Sequence, residues 1–320
     1  MTQLTLGRAT ADRDRLRRLL QDYGVYLGVA VLLLVNIAFT PHFLSAENFR
    51  TQAVQVAPVL IVALGMALAI GTEGVDLSVG SVMALATSLV SLYLGYGPWI
   101  ALLVAVAGGI VVGLANGSLI AFVGVQPIVA TLALMVAGRG LALVLLPQLK
   151  QVHDPGMAAL GSGAVLGIPY LVLIAAGLAL LTAFVVRRTT FGRQLLALGD
   201  SRPAARLAGL PVRRVLILVY AASGALAAVA GVLATARLTA SDPTSLGTLM
   251  ELSAITAVVV GGTPLSGGRV RIGGTVAGAV LIQLLTATLI KHDLPPSWTQ
   301  IAQAVVIVLA VYAARERGKR

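Results

Sequence analysis

The sequence contains no cysteine and only three histidines, His42, His153 and His292, scattered singly along the chain. Disulfide frameworks, thiol nucleophiles and Cys-based metal sites are thereby excluded, and isolated histidines without helical pairing do not form a zinc site. Lysine is equally scarce. Lys150, Lys291 and Lys319 stand in "QLKQ", "LIKH" and "RGKR", none of them inside the pattern G-x-x-x-x-G-K-[ST], so the chain has no P-loop with which to hold ATP. No Ser-His-Asp set or acid pair stands out, and the buried hydroxyls lack a nearby base, so neither enzymatic chemistry nor a cofactor is expected. Charge as a whole is thin. Asp, Glu, Lys and Arg make up 11% of the residues, against about 25% in soluble domains.

What is there is hydrophobic sequence: 58% of the chain, with a mean hydropathy of +0.95. Uncharged runs recur, the longest being the 62 residues from Leu77 to Gly138. A spanning helix needs about 20 predominantly apolar residues, so that run holds several, divided at "GYGP" (95–98) and "VGVQP" (123–127). The pattern predicts an all-α polytopic membrane protein with ten spans, near 24–39, 54–71, 79–94, 98–122, 127–147, 168–186, 213–236, 250–263, 272–290 and 297–313. The domain division is a basic N-terminus (1–22), one transmembrane domain (23–314) and a basic tail (315–320). With the N-terminus inside, 18 Lys and Arg fall in cytoplasmic segments and four outside, with Arg139 within a span. That asymmetry places both termini in the cytoplasm. It also accounts for the net charge of +11, so lipid or a protein partner is expected beside the spans and nucleic acid is not. Trp99 and Trp298 fall at predicted outer ends, as interfacial aromatics do. The Arg-rich start runs into the first span without a small-residue cleavage site, which reads as an uncleaved anchor.

Polar residues within this apolar chain need explanation, because a charge at a helix centre costs about 2.5–3.5 kcal/mol. "GTEGVDLSVGS" (71–81) places Glu73 and Asp76 between two spans. Asp76 is positioned to cap the next helix by accepting amide bonds from Ser78 or Val79; a sugar contact and a proton relay are the alternatives. Glu73 either meets an arginine such as Arg269 or Arg271 or reaches water. "GGTPLSGGRVRIGGT" (261–275), with Thr263 and Ser266, interrupts the second half in the same way. Broken helices occur in membranes where protein or a water-filled cavity covers them, so both breaks are expected beside a translocation path. Gln126 and Thr131 flank the start of the fifth span as candidate lining groups. Arg139 pairs with a distant carboxylate such as Glu251 or snorkels to the outer interface. Gly109, Gly113 and Gly117 form a G-x-x-x-G run expected to pack helices, with Asn116 as interhelical glue.

Loop 187–214, "RRTTFGRQLLALGDSRPAARLAGLPVRR", is the substantial internal cytoplasmic segment. Phe191 to Leu198 suit a short helix closed by Gly199. Asp200 or Ser201 then caps a second helix with Pro203 in its first turn and Gly209 and Pro211 as its stop. A small capped helix on basic flanks suits a groove in another protein; a solvated loop is the plainer alternative.

Here a resemblance becomes specific. "ALG" (197–199) followed by "AARLAG" (204–209) resembles the coupling segment of ATP-binding-cassette (ABC) import permeases of the ribose and monosaccharide branch. "GVDLSVGSVMAL" (74–85), "VQPIVATLALMVAGRGLA" (125–142) and "ITAVVVGGTPLSGGRVRIGGTVAGAVL" (255–281) agree in the same order, over roughly residues 50–313. "ATLALMVAGRG" and "LPPSWTQIAQAVVIVL" look most like permeases of galactofuranose-type importers. The resemblance implies a multi-pass subunit of the bacterial inner membrane. It would work with a second permease, identical or homologous, with cytoplasmic ABC ATPases and with a periplasmic sugar-binding protein. It implies that Gly199, Asp200, Ala204, Ala205, Arg206 and Gly209 form the ATPase-coupling segment, with Asp200 in place of the usual Asn. The family commonly has glycine at the position of Glu73, so no role carries over there. An ion-coupled transporter with Glu73 and Asp76 as proton carriers, and an ABC permease for branched amino acids or another small solute, are the competing readings.

Overall fold

The computed structural model describes residues 24–315; residues 1–23 and 316–320, with the basic N-terminus and most of the basic tail, lie outside the described residues. The described residues are predominantly helical. In order it forms α1 (Gly24–Phe39), α2 (Ala46–Gly71), α3 (Val79–Tyr93), α4 (Pro98–Ser118), α5 (Pro127–Leu145), α6 (Pro155–Ser162) and α7 (Tyr170–Arg188). There follow α8 (Thr190–Asp200), α9 (Arg202–Leu207), α10 (Val212–Leu238), α11 (Met250–Val260), α12 (Ile272–Lys291) and α13 (Pro296–Arg315).

Local chemistry sets these boundaries. Ser45 caps α2 by accepting the Asn48 amide at 3.2 Å, and Asp154 caps α6 by accepting that of Met157 at 2.8 Å. Prolines open α4, α5 and α6, where a missing N–H costs nothing. Arg187 and Arg188 close α7, favourably placed at the negative end of the helix dipole. A π turn (Leu119–Val123) extends α4 before left-handed Gly124 ends it.

Among the described residues seven helices are long and apolar enough to cross a membrane: α2, α3 with its 3-10 extension, α4 with its π turn, α5, α7, α10 and α12. They coincide with seven of the ten expected spans. The expected spans at 24–39 and 250–263 correspond to the shorter apolar helices α1 and α11. α11 has only 11 residues because the glycines after Val260 stop it inside the uncharged run. α2 begins at Ala46 rather than near 54, since the Ser45 cap starts the helix upstream of the apolar stretch.

Burial separates the centre from the rim. α2, α3, α10 and α12 are 56–72% buried over their most apolar windows, whereas α4, α5 and α7 are 22–28% buried and turn apolar faces outward. α10 crosses α4 at backbone contact. A Cβ added at Gly109, Gly113 or Gly117 would meet main-chain atoms of Gly224, Tyr220 or Ile217. In the connections past the helix ends, β1 (Lys150–Gln151) pairs antiparallel with β4 (Ala240–Ser241), and β2 (Ala164–Val165) with β3 (Ile168–Pro169).

Candidate functional site

The two interruptions seen in the sequence are the same helix stop built twice. At the end of α2, Glu73 N donates to Ile70 O at 2.9 Å and Gly74 N to Ala69 O at 3.1 Å. At the end of α11, Gly262 N donates to Val259 O at 2.9 Å and Thr263 N to Val258 O at 3.2 Å. Both are Schellman stops, which require a left-handed residue just past the cap. Gly262 takes that place with φ 87°, and Glu73 takes it with φ 62°. The exposed Glu73 side chain makes no ion pair among the described residues, and Arg271 instead packs on Gly262. A non-glycine residue in this conformation costs about 1–2 kcal/mol. Glu73→Gly is therefore expected to raise stability by about 1 kcal/mol, read as a higher thermal midpoint, with Glu73→Val lowering it.

Both breaks meet under the α8–α9 segment. Gly268 N donates to Gly71 O at 3.1 Å, joining the second break to the end of α2. Gly199 lies on the same spot: a Cβ there would collide with the Gly71 carbonyl and stand 2.6 Å from Gly268 N. Gly199 therefore does not end its helix. α8 runs on to Asp200, with Thr189 as its cap, and glycine is needed at 199 for close approach. Asp200 is the last residue of α8 and does not cap the next helix. Ser201 does, accepting the Ala204 amide at 3.3 Å. Gly209, with φ 74°, closes α9 by a third Schellman stop.

Sequence reasoning missed Arg202. Its guanidinium reaches back and donates to Thr72 O at 2.9 Å, tying α9 to the first break. Its signal is an arginine in the first turn of a small capped helix, indistinguishable by sequence from a solvated one. Ala205 points inward at 4% exposure, while Pro203, Ala204, Arg206, Leu207 and Ala208 face outward. Leu207 is 90% exposed.

Behind the first break, Asp76 is buried. Its Oδ1 accepts the Ser78 amide at 3.1 Å and the Ser78 hydroxyl at 2.6 Å. Asp76 thus makes an Asx-type turn, and Ser78, without a capping side-chain bond of its own, occupies the position before α3. Asn116 Nδ2 donates to Ser78 Oγ at 2.9 Å, and Thr131 Oγ1 to Val75 O at 3.2 Å, which fastens α4 and α5 to this turn. Thr131 is fully buried, whereas Gln126 and Ser266 are exposed. Thr263 Oγ1 accepts the Arg271 amide at 3.0 Å, bridging the second break. Arg139 feels the Glu251 carboxylate electrostatically but not at ion-pair distance. It donates to Pro243 O at 2.8 Å and Leu246 O at 2.9 Å, holding the loop after β4. Also unforeseen was a glutamine cluster, Gln283 donating to Gln52 at 3.0 Å and to Gln55 at 2.6 Å. The spacing "TQAVQ" in α2 was its only signal. It edges a groove of about 780 Å³ between α1, α2, α7 and α12, whose other polar lining residue is Arg187.

Residues 48–311 match a family model described as the permease component of a branched-chain amino acid transport system. The chain belongs to this permease family. It is 37% identical to the galactofuranose transporter permease of Escherichia coli K12 over 302 residues, covering 91% of this chain and 89% of that one. It is 36% identical to the fructose import permease of Bifidobacterium longum over 314 residues, covering 92% and 88%. It is also 36% identical to the ribose import permease of Bacillus subtilis over 309 residues, covering 93% and 94%. The permease is a membrane transport component, and the chemistry of energy supply belongs to other subunits of such systems. Among the described residues no cluster of His, Cys, Asp or Glu suited to a metal occurs.

Proposed function

We propose that this permease is the transmembrane subunit of an ABC importer that carries a monosaccharide across the bacterial inner membrane by alternating access. The observation that carries the proposal is the α8–α9 segment. Its inner side grips both helix breaks, and its outer side presents an exposed leucine among small residues. A partner ATPase pressing on that outer face would move Gly71 and Gly268 together, because both are in backbone contact with α8. The ten-span arrangement counts α1, α11 and α13 as crossings, with α8–α9, the segments 1–22 and 315–320 and both termini cytoplasmic. The 18-to-four charge asymmetry supports it.

Partners follow from the same reading: a second permease, identical or homologous, a pair of ABC ATPases, and a periplasmic sugar-binding protein that sets much of the specificity. Within this proposal Gly199, Asp200, Ala204, Ala205, Arg206 and Gly209 form the coupling segment. Glu73, Asp76, Ser78, Thr131, Thr263 and Ser266 belong to the two breaks beside the path, with Gln126 at the start of α5 and Arg139 within it. Gly109, Gly113 and Gly117 hold α4 on α10. A neutral sugar suits a path with few charges. The relatives' names favour sugar cargo over the branched amino acids in the family's description, and a transport-system component works with further subunits, unlike an ion-coupled carrier acting alone.

Ala205 is buried, so docking is better tested at Leu207. Leu207→Glu is expected to cut ATPase affinity about 30-fold, equivalent to about 2 kcal/mol for a central interface side chain. Co-purification with the ATPase should fail while the variant keeps the wild-type elution profile. Unchanged co-purification and uptake would remove α9 as the docking element. Reconstitution with the ATPase and loaded binding proteins then separates cargoes: ATP hydrolysis should rise with a sugar-loaded protein and not with one carrying a branched amino acid.

A further inference from the structure

Where α4 ends and α10 begins, the surface folds into a pocket of about 690 Å³. Its walls are of two kinds. One is apolar: Phe122 and Val123, in the π turn that ends α4, are 62% and 69% exposed. The other is basic: Arg206 from α9, and Arg213 and Arg214 from the start of α10. The Arg213 guanidinium lies over the Phe122 ring, 5.5 Å from its centroid, a cation–π contact that joins the two walls. No acidic residue lines the pocket. Among the described residues, none of the three arginines makes an ion pair or a side-chain hydrogen bond.

Three like charges around one pocket repel one another, and an anion between them turns that repulsion into attraction. The surroundings say what kind of anion fits. α4 with its π turn and α10 are both long and apolar enough to cross a membrane, so the pocket stands where two crossings end, at the depth of the headgroups. Away from the arginines the same two helices expose Val111 and Leu114 on α4 and Leu218 on α10. An acidic protein surface would match the arginines and leave these apolar side chains and Phe122 unused. A molecule with phosphate oxygens at one end and hydrocarbon at the other matches both walls. Guanidinium groups hold phosphate oxygens in pairs, and basic pockets between membrane helices take anionic lipid headgroups.

We propose that this pocket binds an anionic phospholipid, its phosphate held by Arg206, Arg213 and Arg214 and its acyl chains lying along the exposed apolar side chains of α4 and α10. Bound there, the lipid fastens the connection between α9 and α10 to the membrane, beside the docking face that carries Leu207. The site depends on the permease being a membrane protein and not on its cargo or its energy source.

The test is thermal unfolding of the purified full-length permease in dodecyl maltoside, titrated with dioleoyl phosphatidylglycerol, dioleoyl phosphatidylcholine or glycerol phosphate. The midpoint is expected to rise saturably with phosphatidylglycerol, because a ligand that binds only the folded state stabilises it, and to stay level with the other two. An equal rise with phosphatidylcholine or with glycerol phosphate would overturn the proposal, the first removing the need for charge and the second the need for a lipid. Joint Arg213→Gln and Arg214→Gln should move saturation to about 30-fold more phosphatidylglycerol, the product of two arginine contributions near an anionic surface. If that variant fails to fold, Phe122→Ala at its exposed position supplies the second variant and should weaken the response severalfold. Joint Arg187→Gln and Arg188→Gln, which takes the same charge from the end of α7, should leave the response unchanged. Equal weakening there would show attraction to the basic surface as a whole and overturn the site. An unchanged lipid response in the Arg213 and Arg214 variant would do the same, and if ATPase co-purification is lost with it, the pocket belongs to the ATPase. The lipid titrations need neither ATP nor a sugar, so their outcome is separate from that of the importer assignment.

Discussion

Uptake is expected to be lost in Gly199→Leu, with the permease still folded and still bound to its ATPase. The position of the missing Cβ is already filled by main-chain atoms, the Gly71 carbonyl and the Gly268 amide. Main chain cannot rotate aside as a flexible side chain would. A leucine there must lift α8 from both helix breaks, at a cost of about 1–3 kcal/mol for overpacking. The outward face of α9, with Leu207, is untouched, so docking persists. What disappears is the transmission of movement from the docking face to Gly71 and Gly268. In proteoliposomes, stimulation of ATP hydrolysis by loaded binding protein should fall to the unstimulated level, with uptake falling in parallel. Gly199→Ala should show a weaker form of the same defect. Wild-type uptake in Gly199→Leu would mean that force passes by another route, Arg202 to Thr72 being the next contact to test.

The second large effect concerns folding. Gly113→Leu places a side chain between α4 and α10, where a Cβ would meet the Tyr220 carbonyl and stand 2.8 Å from Ala221 Cα. Both obstacles are backbone, so the helices must separate, and the cost lies at or above the upper end of the about 1–3 kcal/mol typical of overpacking. Separation also draws Asn116 from Ser78, which exposes the Asp76 turn to further loss. The variant is expected to give little monodisperse protein by size exclusion and a markedly lower unfolding midpoint. Gly140→Leu on α5 is the control, since no atom lies within 4 Å of its added Cβ. A Gly113→Leu protein as stable as that control would show that α4 and α10 are not held by this crossing.

Much of the architecture was legible because its causes are local. Runs of uncharged residues mark the apolar helices, since hydrocarbon rejects charge and unpaired backbone alike. Ser201 and Gly209 announce helix ends through their own chemistry, within a turn of where they act, whereas the equally local caps Ser45 and Asp154 were not anticipated. The breaks at 71–81 and 261–275 could be read for the same reason, from glycine and polar residues between apolar stretches. Glu73 seemed misplaced because its reason is geometric. It stands at the left-handed position that Gly262 occupies in the second break, and only backbone dihedrals disclose that equivalence.

The candidate site was less legible. Gly199, Gly71 and Gly268 are far apart in sequence, and a glycine's closeness to another backbone leaves no pattern in either segment. Arg139 looked like half of an ion pair because charge suggests charge, yet the loop carbonyls of Pro243 and Leu246 were nearer donors' targets. Ala205 resembled a docking residue by motif, but the orientation of α9 turned it inward and left Leu207 outside. The membrane class, the lack of a P-loop and the family motifs were read from composition and order along the chain, which need no third dimension. That both breaks converge beneath one cytoplasm-facing segment in the importer reading was decided by helix packing. Contacts between distant segments depend on how helices cross, and a crossing is a property of surfaces brought together rather than of any one stretch of residues.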